Sequence, residues 1–409
     1  MKTTMTISAE NFKRAVKAAV SCSGAYNGLS DVYIDIGADG CFMATDLAQF
    51  VRVGFNPIKY EGDTTIGVKV DESMLTKISD IKGNDITIMY DSDYEHELKV
   101  TNGKKMLTLH CAVVDNSAGS NEFNRESYSI PFEMDRDNVL EVESEEILRA
   151  VKTASVFTSK VDSRPILKGY HFNGHDNMIE AIDGYRAVRK LWKTGIMAND
   201  YFETVNEQLD NIKNIFTKGD GYISVYGAEK KEVKTEFGRY KYTMLRSEVN
   251  GLVIEYAVRN LDGEFHPVAK AYPITFTTCA TVKAGAIAEM CKEYKKYISA
   301  KDPVPVVFHQ EGDVVYTHLK TASLAICEPT DIKVLCGNIP TIGFKNGFML
   351  DVMNVFDKNE QVTIGCNNDI QPMVVDNEEY FVIILPVRLK PERINEVKRE
   401  IETLRKVGA

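Results

Sequence analysis

The sequence predicts an α+β protein built from three similar domains in tandem, and three observations carry that expectation. Arg14-Ala-Val-Lys17 returns unchanged as Arg149-Ala-Val-Lys152, 135 residues on. Two aspartates that end strands, Asp46 and Asp183, stand 137 residues apart, as do Ile86-Thr-Ile88 and Ile223-Ser-Val225. Each copy also sets two amphipathic helices among several short strands separated by turn residues. A period of this length is far too long for a solenoid unit, so each copy should hold its own core. The boundaries expected are 1–130, 131–262 and 263–389, with a helical extension at 390–409.

In the first copy, Ser8 caps a helix running to Val20 with apolar residues at 12, 16, 19 and 20. Val32 to Ile36 and a returning strand ending at Asp46 flank an Ala-Asp-Gly turn. A second helix spans Asp71 to Ile81, and strands follow near 86–90, 97–101 and 106–113. After a linker near 130–142, Ser144 caps the first helix of the second copy. Its second helix covers about 205–216, and its later strands lie near 222–226, 231–237 and 240–246. In the third copy the helices are Lys283–Tyr297 and Phe348–Phe356, with a hairpin turning at 310–313. There the position matching Asp46 and Asp183 falls near Leu319, so the acid is not shared.

The last strand, Tyr380 to Leu389, is apolar or proline without a break over 381–387, which marks a strand buried on both faces. Pro386 cannot donate to a ladder, so the strand ends or lies at an edge there. Leu385, Val387 and Leu389 beside Arg388 read either as a core strand with a salt-bridged arginine or as the lip of an apolar pocket.

Composition narrows the class. Hydrophobic residues make up 44% and charged residues 26%, the balance of an ordinary globular protein. Eight scattered cysteines form no CxxC, which speaks against a zinc ribbon or a disulfide framework, and no metal or cofactor is expected. With no apolar signal region and no run of transmembrane length, the expectation is a cytoplasmic protein with no membrane partner. The net charge of −10 leaves room for a local basic stripe. Such a stripe recurs on the helices: Lys13, Arg14 and Lys17, then Arg149 and Lys152, then Lys295 and Lys296, with Lys82, Lys218 and Lys358 ending the second helices. Each alone reads as a solvated face; their recurrence at matching repeat positions within an acidic protein weakens that reading.

Three segments then resemble one family. Arg164-Pro-Ile-Leu-Lys-Gly169 is similar to an Arg-Pro-Ile-Leu-x-Gly segment, Ala181-Ile-Asp-Gly-Tyr-Arg-Ala187 to Ala-Thr-Asp-Gly-His-Arg-Leu, and Leu385-Pro-Val-Arg-Leu389 to Met-Pro-Met-Arg-Leu. All belong to the beta subunit of bacterial DNA polymerase III, the sliding clamp. Val249-Asn-Gly-Leu-Val-Ile-Glu-Tyr256 lends weaker support, and the order holds over residues 1–389.

The resemblance implies a DNA-clamp fold and a ring of two chains closed head to tail, with helices lining a hole for duplex DNA. The helix cations above, joined by Arg164, become the inner wall, holding DNA without reading its sequence. A partner-peptide pocket is implied at Ile182, Gly184, Tyr185, Arg186 and Ala187 with Leu385, Pro386, Val387, Arg388 and Leu389, completed by Ile254 and Val258. Its occupants would be the polymerase III alpha subunit, the clamp loader and other replication and repair proteins. The dimer contact would use Leu107 and Leu109 of one chain and Tyr297 and Ile298 of the other. This chain departs from the family at 22–31, which lacks an Arg-Pro-x-Leu pattern, and in Ile182, Tyr185 and Ile254, which replace threonine, histidine and proline.

Two rival classes stand beside this reading. An enzyme would use Asp183 with His171 and His175, or His110 with Cys111, but the first set flanks a turn and the second alternates across a strand. No phosphate loop is present. Asp46 and Asp183 read better as turn formers bonding their own backbone. A structural tandem-domain protein without DNA is the other rival.

Overall fold

The computed structural model describes residues 2–24, 29–114, 124–130, 134–193, 195, 202–228, 233–235, 238–266, 268, 275–301 and 303–408. Parts of the 22–31 loop, the 130–142 linker and the expected 231–237 strand therefore lie outside the described residues. The chain forms two compact units. One comprises Met1–Lys152, Phe172–Asn177 and Thr194–Asp262; the other comprises Thr153–His171, Met178–Lys193 and Gly263–Ala409.

The first unit is built on two large antiparallel sheets, with a short hairpin of Val233–Thr235 and Gly238–Tyr240 besides. The smaller runs, in spatial order, Lys59–Glu61, Lys2–Ser8, Asp85–Asp91, Glu97–Thr101 and Met106–His110. The larger has nine strands and carries elements of both expected repeats, joined where Gln49–Phe55 pairs with Leu252–Arg259. Helix α1 (Ala9–Val20) starts where Ser8 accepts a hydrogen bond from the Asn11 amide at 3.2 Å, and it buries Phe12, Ala15, Val16, Ala18 and Ala19. Helix α2 (Glu72–Ile78) is capped by Asp71 and stops three residues short of the expected end at Ile81. Helix α3 (Ser144–Ala154) includes Ser144 as its first residue. The Ser144 hydroxyl donates to the Lys218 carbonyl at 2.9 Å, tying the helix start to the following loop.

Two expectations change here. Most of the linker expected at 130–142 is the strand Met134–Glu143, paired with Tyr222–Ala228. Leu140 and Val142 are buried while Glu141 and Glu143 are exposed, a period-2 pattern that the preceding charges obscured. The helix expected at 205–216 is a 3₁₀ stretch, Glu207–Asn211, followed by a single helical turn, Ile212–Ile215.

In the second unit, Met178–Ile182, Arg186–Leu191, Tyr380–Ile384, Met373–Asp376, Gln361–Cys366, Thr278–Lys283 and Lys333–Cys336 hydrogen-bond in that order. A further sheet runs Ala325–Pro329, Val314–Lys320, Pro305–Glu311 and Ile342–Lys345. Helices α4 (Ala284–Tyr294) and α5 (Asn346–Met353) pack on each other. The final strand stops at Ile384 rather than Leu389, as Pro386 requires; the Val387 amide instead donates to the Gly343 carbonyl at 2.7 Å. Helix α6 (Pro391–Gly408) buries Val397 and Ile401 against Val307 and Tyr316, with Leu389 packed beside them. It docks on the flank of this sheet.

One turn occurs three times. Asp46 Oδ1 accepts from the Ala48 and Gln49 amides at 2.9 Å, and Asp183 Oδ1 accepts from the Tyr185 and Arg186 amides at 2.8 Å. Leu47 and Gly184, at matching positions, have φ of 71° and 89°. In the third copy Thr321 Oγ1 accepts from the Leu324 amide at 3.1 Å, so a hydroxyl takes the role of the acid two residues beyond Leu319.

Candidate functional site

The second unit holds a cavity of about 520 Å³ formed where the Asp183–Arg186 turn meets the end of the last strand. Its walls are Ile166, Leu167, Ile182, Ala187, Ile383 and Leu385, with Pro372, Gly184, Tyr185, Arg186, Arg164 and His266 around them. The apolar floor continues into a buried cluster of Ala187, Phe265, Val268, Val374 and Ile383. The strands Arg186–Leu191 and Tyr380–Ile384 pair through Arg186 and Ile384, and the Leu385 amide donates to the Tyr185 carbonyl at 2.9 Å. That bond carries the ladder one residue beyond the strand and holds the two lips together.

Arg186 does not present its charge to the cavity. Its Nε and Nη2 donate to Asp183 Oδ2 at 3.0 and 2.8 Å, Nη1 donates to Asp351 Oδ2 at 2.5 Å, and Nη2 also reaches the Val156 carbonyl at 3.0 Å. The guanidinium lies 4.1 Å from the Phe348 ring centre. Lys345 Nζ sits 5.0 Å from the Tyr185 ring and 4.9 Å from that of Phe348. Arg186 is therefore a strut that fixes the turn, leaving Tyr185, 57% exposed, as the aromatic at the mouth. Gly184 at φ 89° faces Arg164, whose guanidinium would lie 3.5 Å from any added Cβ.

Of the pocket residues expected from the sequence, Ile182, Gly184, Tyr185, Arg186, Ala187 and Leu385 line this cavity. Pro386, Val387, Arg388 and Leu389 do not; the chain there turns along Gly343 toward α6, and Leu389 belongs to the core under that helix. Ile254 and Val258 are fully buried in the larger sheet of the first unit. Sequence reading missed Ile166 and Leu167 as pocket walls, although they lie within the Arg164–Gly169 segment that carried the resemblance. His266 and Pro372 gave no signal.

The helix cations divide into two groups. Lys17, Lys82, Lys295, Lys296 and Lys358 are exposed. Arg149 and Lys152 are exposed as well, and so are Lys13 and Lys218, which pair with Asp80 at 2.5 Å and with Glu145. Arg14 is bound by Asp220, whose side chain is 1% exposed, and so helps fasten α1 within the first unit.

No family model matches the chain. A beta sliding clamp of Streptococcus pneumoniae is 22% identical over 387 residues, covering 91% of this chain and 95% of that protein. The beta subunit from DNA polymerase of Streptococcus pyogenes superposes with a TM-score of 0.78 at 16% identity, covering 95% of this chain and 100% of the other. The DNA polymerase III beta subunit of Thermotoga maritima does so at 0.77, with the same identity and coverage. The chain has the sliding-clamp fold.

In this clamp fold, the strand Met106–His110 forms an outer edge of the five-strand sheet, with Leu107 half-buried and Leu109 buried. Ala325–Pro329 is an edge of the four-strand sheet, and Tyr297 and Ile298 follow α4. The residues that an enzyme would use are engaged elsewhere. His171 stacks on Phe265 at 4.5 Å, and burial pulls its pKa down to about 4. Burial pushes the Cys111 thiol up to about 11, while the neighbouring His110 is exposed. Asp183 spends its carboxylate on its own turn and on Arg186. Among the described residues no three His, Cys, Asp or Glu side chains converge as a metal site, and no helix is long and apolar enough to cross a membrane.

Proposed function

We propose that this chain is a non-catalytic sliding clamp: two copies close head to tail around duplex DNA and tether the replicative polymerase during synthesis. The observation that carries the reading is the apolar cavity between the Asp183–Arg186 turn and Leu385, on a chain similar along nearly its whole length to named sliding clamps. Such a cavity suits short peptides with apolar anchors, and the proposed occupants are the polymerase III alpha subunit, the clamp loader and other replication and repair proteins.

The three-domain division at 1–130, 131–262 and 263–389 is part of the proposal, and the turn repeated at Asp46, Asp183 and Thr321 supports it. Three alike domains supply half of a six-fold pseudo-symmetric ring, so the contact closes at two chains. Met106–His110 and Ala325–Pro329 are outermost in their sheets among the described strands and would pair between copies, with Tyr297 and Ile298 contributing to the same contact. Exposed Lys17, Lys82, Arg149, Lys152, Lys295, Lys296 and Lys358, with Arg164, would face phosphates in a sequence-indifferent, salt-dependent way. The proposed setting is the cytoplasm, with no cofactor.

The test is retention. Protein loaded on a closed DNA circle should stay bound through a high-salt wash and run off once the circle is cut. Equal loss from circle and line refutes encirclement, and a monomer by light scattering at micromolar concentration refutes the ring.

A further inference from the structure

The strand Lys333–Cys336 is the outermost of its sheet and pairs only with Thr278–Lys283 among the described strands. Regular register runs from Thr281 opposite Lys333 to Ala280 opposite Val334. Continued unbroken, it would place Leu335 opposite Cys279. A bulge intervenes instead, and Cys336 becomes the partner of Cys279. Leu335, the extra residue, is 66% exposed. Directly opposed residues on antiparallel strands project from the same face with Cα atoms about 4.5–5.5 Å apart, inside the range a disulfide spans. The chain is held in this register beyond the strand: Thr278 Oγ1 donates to the Asn338 carbonyl at 2.8 Å, and Gly337 turns at φ 71° tight against Thr277.

The accessibility of the thiols is graded. Cys336 is exposed and Cys279 half-buried; Cys327 is also half-buried but packs against the cluster beneath α6, and Cys22, Cys41, Cys111, Cys291 and Cys366 are buried. The Cys279 thiol is raised above its ordinary pKa by burial and by the neighbouring Cys336 thiol.

We propose that Cys279 and Cys336 form a reversible disulfide under peroxide stress, a modification site that staples the outer strand to the sheet. The Cys336 thiolate attacks one oxygen of hydrogen peroxide; the S–O bond forms, the O–O bond breaks, and the departing hydroxide takes the thiol proton as water. The Cys279 thiolate then attacks Cys336 Sγ; the S–S bond forms, the S–O bond breaks, and hydroxide leaves with the Cys279 proton as a second water. Two thiols and one peroxide thus give one disulfide and two waters. A dithiol returns the pair to the reduced state by exchange.

The experiment uses full-length protein treated with a few equivalents of hydrogen peroxide, alkylated, digested with trypsin without reductant and analysed by mass. The expected product joins peptide 271–283 to peptide 334–345 and disappears with dithiothreitol. Cys279→Ser should leave Cys336 as a sulfenic acid that dimedone traps, and Cys336→Ser should abolish the reaction at the same dose. Amide exchange across 333–336 should slow at least ten-fold in the oxidised protein. Oxidation of Cys336 to sulfinic acid with no linked peptide, a chain-to-chain disulfide through Cys336, or a linked peptide without slowed exchange would each overturn the proposal.

Discussion

Arg186 and Asp351 meet at 2.5 Å, joining the pocket turn to helix α5 through a guanidinium that is only 7% exposed. The same guanidinium holds Asp183, so one side chain bridges two carboxylates over the Phe348 ring. Removing it strands both acids and frees the Tyr185 turn. Arg186→Ala is expected to lower unfolding stability by about 3 kcal/mol, the scale for breaking a largely buried ion pair. Arg186→Lys should recover only part of this, since an ammonium cannot make the same fork. An unchanged urea midpoint for Arg186→Ala would remove the strut from the account.

The pocket and the segment after it should separate under mutation. Tyr185 and Leu385 are 57% and 39% exposed at the mouth, so their truncation takes contact from a bound peptide and little from the fold. Tyr185→Ala or Leu385→Ala should weaken a polymerase-derived peptide by about 1–3 kcal/mol with an unchanged melting temperature. Leu389→Ala should do the reverse, lowering stability by about 1–2 kcal/mol and leaving the peptide alone, because Leu389 packs with Val397 and Ile401. Calorimetric titration beside thermal unfolding reads both; peptide loss in Leu389→Ala alone would move the pocket.

The cations should separate in the same manner. Lys17, Lys295 and Lys358 are exposed, and each reversed to glutamate should flatten the salt dependence of DNA retention by about one ion or less. Arg14→Ala should instead cost stability, since Arg14 is spent on buried Asp220. A filter-binding salt titration that shows Arg14→Ala and Lys17→Glu to be equivalent would contradict this division.

What the sequence made legible followed from local rules with few competitors. Ser8 as a cap, Asp46 and Asp183 as turn formers and Pro386 as a strand stop each depend on a handful of neighbouring backbone groups, and each holds. The cavity lip at Tyr185 and Leu385 was legible because two resembling segments meet there. The illegible parts needed long-range partners. Met134–Glu143 becomes a strand only because Tyr222–Ala228 offers a ladder, and the third-copy turn hid because a threonine replaces an aspartate. Arg186 read only as one of the pocket residues because nothing in the sequence places Asp351 beside it, 165 residues away.

The last prediction concerns the clasp between α6 and its sheet. His318 is fully buried, and its Nδ1 accepts from Arg393 Nη2 at 2.7 Å while Nε2 lies 2.7 Å from Glu400 Oε2. Because Arg393 can only donate, Nδ1 is unprotonated and Nε2 carries the single proton to Glu400. Lys320 and Glu396 complete the charged surroundings. Burial, the largest cause, and Arg393 hold the His318 pKa below its ordinary value, with Glu400 opposing. The folded state therefore binds fewer protons than the unfolded one. This contribution is complete above an unfolded pKa of about 6.5 and is lost as pH falls below it, by at most about 1.4 kcal/mol per pH unit. His309 and His171, also lowered by burial, act in the same direction, so the comparison must be made against His318→Gln. Between pH 7 and pH 5, the hydrogen-exchange protection of 391–408, taken relative to the intrinsic amide rate at each pH, should fall in the unaltered protein and much less in His318→Gln. If both proteins lose protection equally, the clasp does not hold the helix through His318.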